Sequence, residues 1–420
     1  MSHIKIRGGH SLHGEIEVQG AKNAALPIIA ASVLNNGMVH LRRCPQIMDV
    51  HHMLRILQQS GAGIMWDDGD VWIKTDQMDT VAVSSLDAGK MRSSIILLGA
   101  LLGRGQEVTM PYPGGCTIGA RPIDWHIDAL RKMNVQIDLK ENKIECKTTG
   151  LKGNRIELPY PSVGVTENIL LAAVLADGVT EIIHAAMEPE IADLCRFLKK
   201  SGACIEGEGT ERIWIKGVKT LHDTEYTIMA DRIAAGTYMA AAAAVGGEIV
   251  LKGIHIENVR AVADVLVESG CGLIIYKESI KIIAPSVLLG VKNIQTQPYP
   301  GFPTDLQSPA MAVLATIPGV SRIREKIFED RYKTASWLCK MGAQIQIRDG
   351  VAVIYGGQPL TGCTVEAEEL RGGAALVIAA LAAQGITRIR GCCFIERGYE
   401  HICEDLTALG GLLIKDRGTL

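Results

Sequence analysis

Apolar and polar positions follow one phrase that returns six times along the chain. An amphipathic helical stretch ends in a turn and passes into a strand-like alternation, as in "ILQQSGAGI", "LRKMNVQID", "FLKKSGACI", "LVESGCGLI", "LCKMGAQIQ" and "LTALGGLLI". The turn positions are Gly61, Asn134, Gly202, Gly270, Gly342 and Gly410, separated by 73, 68, 68, 72 and 68 residues. Glycine and asparagine enter the left-handed conformation at a helix C-terminus most readily. The alternation after each turn, as in "IQIRDGVAVIYG", predicts strands.

A second recurrence lies between these phrases. "NAALPIIAASVL", "RSSIILLGALLG", "TENILLAAVLADG", "RIAAGTYMAAAAAV", "DLQSPAMAVLAT" and "GGAALVIAALAAQG" read as helices without a polar stripe. Helices apolar all round are buried. Their polar residues gather at the N-terminal ends: Lys22 and Asn23, Arg92, Ser162 with Thr166, Asp231 with Arg232, Thr304 with Asp305, and Arg371. A helix N-terminus carries free N–H groups and partial positive charge, so a cation there costs stability unless an anion or carboxylate compensates. The pattern predicts an α/β (α+β) protein of six repeats of about 70 residues, three in each of two domains. Helix N-termini converging on a cleft between the two are the expected place for a ligand.

Length supports two cores: 420 residues exceed one ordinary domain. Aromatics are only 4%, so the predicted core is aliphatic. A net charge of −3 gives no basic field for nucleic acid, and an anionic ligand would need a local cluster of Lys and Arg. Eleven cysteines without zinc-type spacing predict reduced, mostly buried thiols and no metal. The N-terminal stretch shows no secretory leader and no apolar run has membrane-spanning length, so a cytoplasmic protein without membrane insertion is expected.

Candidate chemistry concentrates in a few places. In "PGGCTIGARP", residues 113–122, a glycine-rich loop cannot bury Cys116, and Arg121 nearby would lower its pKa. Lys22, Arg92, Arg121, Arg331, Arg371 and Arg397 are the cations suited to a small, multiply charged anion, since guanidinium forks match phosphate and carboxylate. Asp305 in "PGFPTDLQSP" fits a helix-start cap, with a general base as the other reading.

Those residues carry a resemblance. "GAKNAALPI", "PGGCTIGARPID", "FPTDLQ", "ELRGGAAL" and "ERGYEHI" closely resemble the UDP-N-acetylglucosamine 1-carboxyvinyltransferases, a family of enolpyruvyl transferases, and the likeness runs over essentially the whole chain. The resemblance implies two inside-out α/β barrels of three repeats each: residues 22–229 with the cysteine loop, and 1–21 plus 230–420, with the active site between them. It implies transfer of the enolpyruvyl group of phosphoenolpyruvate to the 3′-hydroxyl of UDP-N-acetylglucosamine, without metal or cofactor, as the first committed step of peptidoglycan synthesis. Cys116 is implied as the general acid and the atom fosfomycin alkylates. Lys22, Arg121 and Arg397 are implied as phosphate ligands, Arg331 and Arg371 as carboxylate ligands, and Asp305 as the candidate base at the 3′-hydroxyl. Asn23 would touch the sugar and the reacting centre. Arg92, Arg121, Pro122, Ile123, Asp124, Trp125, Ser162, Val163, Gly164, Thr304 and Ile327 match positions lining the UDP-sugar site. Tyr160 and Pro161 stand where some members place a lysine next to the diphosphate, and Met48 where some have a second lysine. A shikimate-type enolpyruvyl transferase and a non-catalytic UDP-sugar-binding paralogue are the competing readings.

Overall fold

The computed structural model describes residues 3–78, 83, 85–89, 91–105, 107–114, 119 and 122–416. The fold is mixed α/β, and the chain divides into two compact units. One unit takes Met1–Gln19 and Ala230–Leu420, and the other Gly20–Cys116 and Arg121–Met229. Each has its own core, built mostly of Ala, Ile, Leu and Val.

In the first unit three apolar helices, Arg232–Val245, Gln307–Thr316 and Leu370–Ala382, pack on one another. Each also lies on one four-stranded sheet. Arg232–Val245 covers the sheet of Gly247–Lys252 and Ser279–Ala284, Gln307–Thr316 that of Gly319–Arg324 and Val351–Gly356, and Leu370–Ala382 that of Ile386–Arg390 and His3–Arg7. Helices enclosed by neighbouring helices and a sheet have no face left for polar residues, which explains their composition.

The second unit holds Lys22–Ala31, Leu97–Arg104 and Val163–Ala173 in its core, with Leu97–Arg104 packed on Val163–Ala173. Two of its sheets have four strands and the third has three. Its amphipathic helices, such as Met48–Gln59 and Pro189–Lys200, turn their apolar sides to that core. The six turn residues, five Gly and Asn134, all have positive φ, from 71° to 109°. Asn134 reaches this conformation with a side chain that donates to the Gly150 carbonyl at 3.0 Å.

Two expectations change at this level. The barrels implied by the resemblance are not closed sheets: among the described residues every sheet is open, and three or four strands are too few to close a cylinder. Arg92 opens a 3₁₀ segment, Arg92–Ile96, and the α-helix begins only at Leu97. No helix among the described residues is long and apolar enough to cross a membrane.

Candidate active site

In the second unit, Lys22 is the first residue of its helix, where no side chain caps the N-terminus. Its Nζ lies 2.7 Å from Asp49 Oδ2, and Asp49 is itself buried in the first turn of Met48–Gln59. The carboxylate required by a cation at a positive helix end is therefore present, from a residue the sequence patterns did not single out. Asn23 follows half-buried on the same helix.

Within the second unit a buried network joins three of the segments implied for the UDP-sugar. His126, in Asp124–Lys132, accepts at Nδ1 from Asn168 Nδ2 at 3.0 Å. Asn168, in Val163–Ala173, also donates to the Ile95 carbonyl at 3.1 Å and accepts from the Gly99 N–H at 2.6 Å. These bonds tie the segment opened by Arg92 to Pro122–Trp125 and to Ser162–Gly164. Trp125 is exposed and its ring centroid lies 6.3 Å from that of Tyr160. Ser162 precedes the helix without capping it, and its carbonyl accepts from Thr166 Oγ1 at 2.9 Å. Glu167, on that helix, is buried beside Glu190 and Glu188, and burial first, then those two carboxylates, push its pKa well above the usual value.

In the first unit Asp305 stands between two guanidiniums. Arg331 Nη2 donates to Oδ1 at 2.6 Å and Arg371 Nη2 to Oδ2 at 3.0 Å. The cap expected of Asp305 does not form: neither the Thr304–Leu306 segment nor the following helix has a side-chain cap. Two full charges outcompete backbone N–H groups for one carboxylate. Burial would raise the Asp305 pKa, but Arg371 and then Arg331 outweigh it and hold the group well below the ordinary carboxylate range. Burial would likewise lower Arg371, yet Asp305 reverses the shift and raises it.

Three further residues, absent from the sequence reading, set this cluster. Glu369 caps Leu370–Ala382 by accepting from the Arg371 and Gly372 N–H groups, which fixes the backbone at Arg371. The Arg371 guanidinium lies 5.6 Å from the ring centroid of Tyr399, whose hydroxyl bonds Thr237 Oγ1 at 2.8 Å. Glu325 accepts from the Ile327 N–H at 2.7 Å, from Thr296 Oγ1 at 2.9 Å and from Thr304 Oγ1 at 3.0 Å. It thereby holds Ile327 and Thr304 beside Asp305 and Arg331. Arg397 is half-buried in the turn two residues before Tyr399. Cys116 and Arg121 lie outside the described residues.

The first unit thus brings together Thr304, Asp305, Ile327, Arg331 and Arg371, with Arg397 on the adjoining turn. A pair of guanidiniums around one carboxylate is chemistry for a carboxylate-bearing anion. Residues 6–406 match the EPSP synthase family (3-phosphoshikimate 1-carboxyvinyltransferase), the enolpyruvyl transferases. The enolpyruvyl transferase NikO from Streptomyces tendae has the same fold, with a TM-score of 0.89 at 23% identity over 100% of this chain and 99% of that one. EPSP synthase from Acinetobacter baumannii aligns with a TM-score of 0.76 at 22% identity, over 99% of this chain and 100% of that one. Within the enolpyruvyl transferases, the chain belongs to the UDP-N-acetylglucosamine 1-carboxyvinyltransferases. It is 45% identical over 415 residues to UDP-N-acetylglucosamine 1-carboxyvinyltransferase 2 of Caldanaerobacter subterraneus subsp. tengcongensis, covering 99% of this chain and 100% of that one. It is 42% identical over 411 residues to its counterpart in Carboxydothermus hydrogenoformans, covering 98% of each.

Proposed function

We propose that the protein transfers the enolpyruvyl group of phosphoenolpyruvate to the 3′-hydroxyl of UDP-N-acetylglucosamine and releases phosphate, the first committed step of peptidoglycan synthesis. The observation that carries this reading is the Arg331–Asp305–Arg371 cluster, with both arginines buried, in a chain that is 45% identical over its length to a relative of that name.

In the proposed addition, Asp305 takes the proton of the 3′-hydroxyl, whose oxygen bonds to C2 of the donor while the Cys116 thiol delivers a proton to C3. Elimination then breaks the bond from C2 to the phosphate oxygen, and loss of a proton from C3 restores the double bond. Arg331 and Arg371 hold the carboxylate, and Lys22, Arg121 and Arg397 hold the phosphate whose charge grows as it leaves. Asn23 contacts the sugar near the reacting centre. Arg92, Arg121, Pro122, Ile123, Asp124, Trp125, Ser162, Val163, Gly164, Thr304 and Ile327 take the rest of the UDP-sugar. Neither a metal nor a cofactor is required.

The same reading takes the chain as two domains divided near residues 21 and 229, each with three repeats of about 70 residues in the inside-out arrangement. The two compact units and the helix-on-sheet pairing within them support it. It also makes the protein a cytoplasmic participant in cell-wall growth and division and a target of fosfomycin through Cys116. Phosphate release from phosphoenolpyruvate tests the function, run with UDP-N-acetylglucosamine and separately with shikimate 3-phosphate. Release with the UDP-sugar alone is expected; release with neither acceptor, or with shikimate 3-phosphate alone, overturns the reading.

A further inference from the structure

We propose that Asp305 is an internal stand-in for the donor's carboxylate, occupying the Arg331–Arg371 pair until phosphoenolpyruvate displaces it, so that donor binding frees the residue that meets the acceptor hydroxyl. The inference rests on the reading above, which gives Arg331 and Arg371 to the donor's carboxylate.

The geometry is that of a ligand already in place. One carboxylate bridges two guanidiniums, an oxygen to each, at 2.6 Å and 3.0 Å. The Arg331 and Arg371 side chains are only 2% and 4% exposed, while that of Asp305 is 26% exposed. Asp305 is therefore the most exposed member of the cluster. Arg331 Nε and Arg371 Nη1 are buried and make no hydrogen bond among the described residues, so the forks have donors that one aspartate does not fill.

The arginines are the fixed partners. Glu369 and Tyr399 hold Arg371, and the Arg331 guanidinium lies 5.7 Å from the ring centroid of Phe328. Asp305 sits on a three-residue 3₁₀ segment, and rotating its short side chain is enough to leave the pair. Exchange of one carboxylate for another keeps both guanidiniums neutralised, avoiding the penalty of a buried unpaired charge. While paired, Asp305 is a poor base; once displaced, it recovers ordinary carboxylate basicity beside the acceptor. The donor's apparent affinity is its intrinsic affinity multiplied by the fraction of molecules in which the pair is free of Asp305.

Calorimetric titration with phospholactate, a saturated donor analogue, and with inorganic phosphate tests the proposal on the full chain. Asp305→Asn is expected to bind phospholactate about tenfold more tightly than the unaltered protein and inorganic phosphate within about twofold of it. Equal or weaker phospholactate binding overturns the proposal. Arg371→Gln tests the underlying assignment: loss of the preference for phospholactate over phosphate supports it, and an unchanged preference overturns the carboxylate role of the pair itself. A crystal structure of the unaltered protein with phospholactate needs no variant. Asp305 more than about 4 Å from both guanidiniums is expected; a bound carboxylate with both ion pairs intact overturns the exchange.

Discussion

In the second unit, Lys22 opens an apolar helix and meets Asp49, a carboxylate 3% exposed and fixed in the first turn of another helix. In the first unit, Arg371 stands near the start of an apolar helix and meets Asp305, which is 26% exposed on a short 3₁₀ segment. Both cations oppose a helix dipole and both are neutralised. The difference is access. Asp49 is enclosed, whereas Asp305 is partly exposed, the difference on which the proposed exchange rests.

The largest effect should come from breaking the enclosed pair. Asp49→Ala removes the carboxylate at 2.7 Å from a Lys22 side chain that is only 12% exposed, and is expected to lower stability by about 3–5 kcal/mol in urea unfolding. Added phospholactate should raise the melting temperature of Asp305→Asn. A loss below about 1 kcal/mol in Asp49→Ala would erase the distinction.

Glu167 sharpens the contrast, because its neighbours are carboxylates. Its folded pKa is raised, so the folded state binds the extra proton, and stability is lost as pH rises from the unfolded value of about 4.3 towards the raised one. Glu167→Gln should therefore be more stable than the unaltered protein at pH 7, with the gap closing near pH 4. Asp305 has the opposite sign: its contribution is complete above about pH 4 and is lost as pH falls towards its depressed folded value. A pH-independent gap between Glu167→Gln and the unaltered protein would refute this account.

The smallest expected change in stability concerns Glu325, which serves the exchangeable side. Glu325→Gln weakens the charge-assisted bonds to Thr304, Thr296 and Ile327, for about 1–2 kcal/mol. Loosened Thr304 and Ile327 should raise KM for the UDP-sugar several-fold while kcat changes less. A fall in kcat alone would show that Glu325 acts elsewhere.

Much of the scaffold was legible in the sequence because it is written in local periods. The six turns and the buried helices follow from apolar spacing and from Gly or Asn at the left-handed position. The pairings inside the site were not, because the partners are distant along the chain. Asp305 carries a local cap signal, yet its partners stand 26 and 66 residues away and win by full charge. Asp49 and Glu325 sit in ordinary-looking stretches, and Tyr399, although inside "ERGYEHI", gains its meaning only from the Arg371 that folding puts beside it. His126 and Asn168 escaped notice for the same reason, being 42 residues apart.

The strand His3–Arg7 lies between Ile386–Arg390 and Leu412–Asp416, antiparallel to both. That strand is therefore synthesised well before either of its neighbours, which lie more than 370 residues further along the chain. At about 5–20 residues per second, it waits for tens of seconds with Ile4 and Ile6 uncovered. Residues 20–229 contain all the strands of their own three sheets and can complete them during that interval. Translation thus imposes an order on folding in which residues 20–229 come first, and the strand His3–Arg7 stays an unpaired edge until its neighbours arrive.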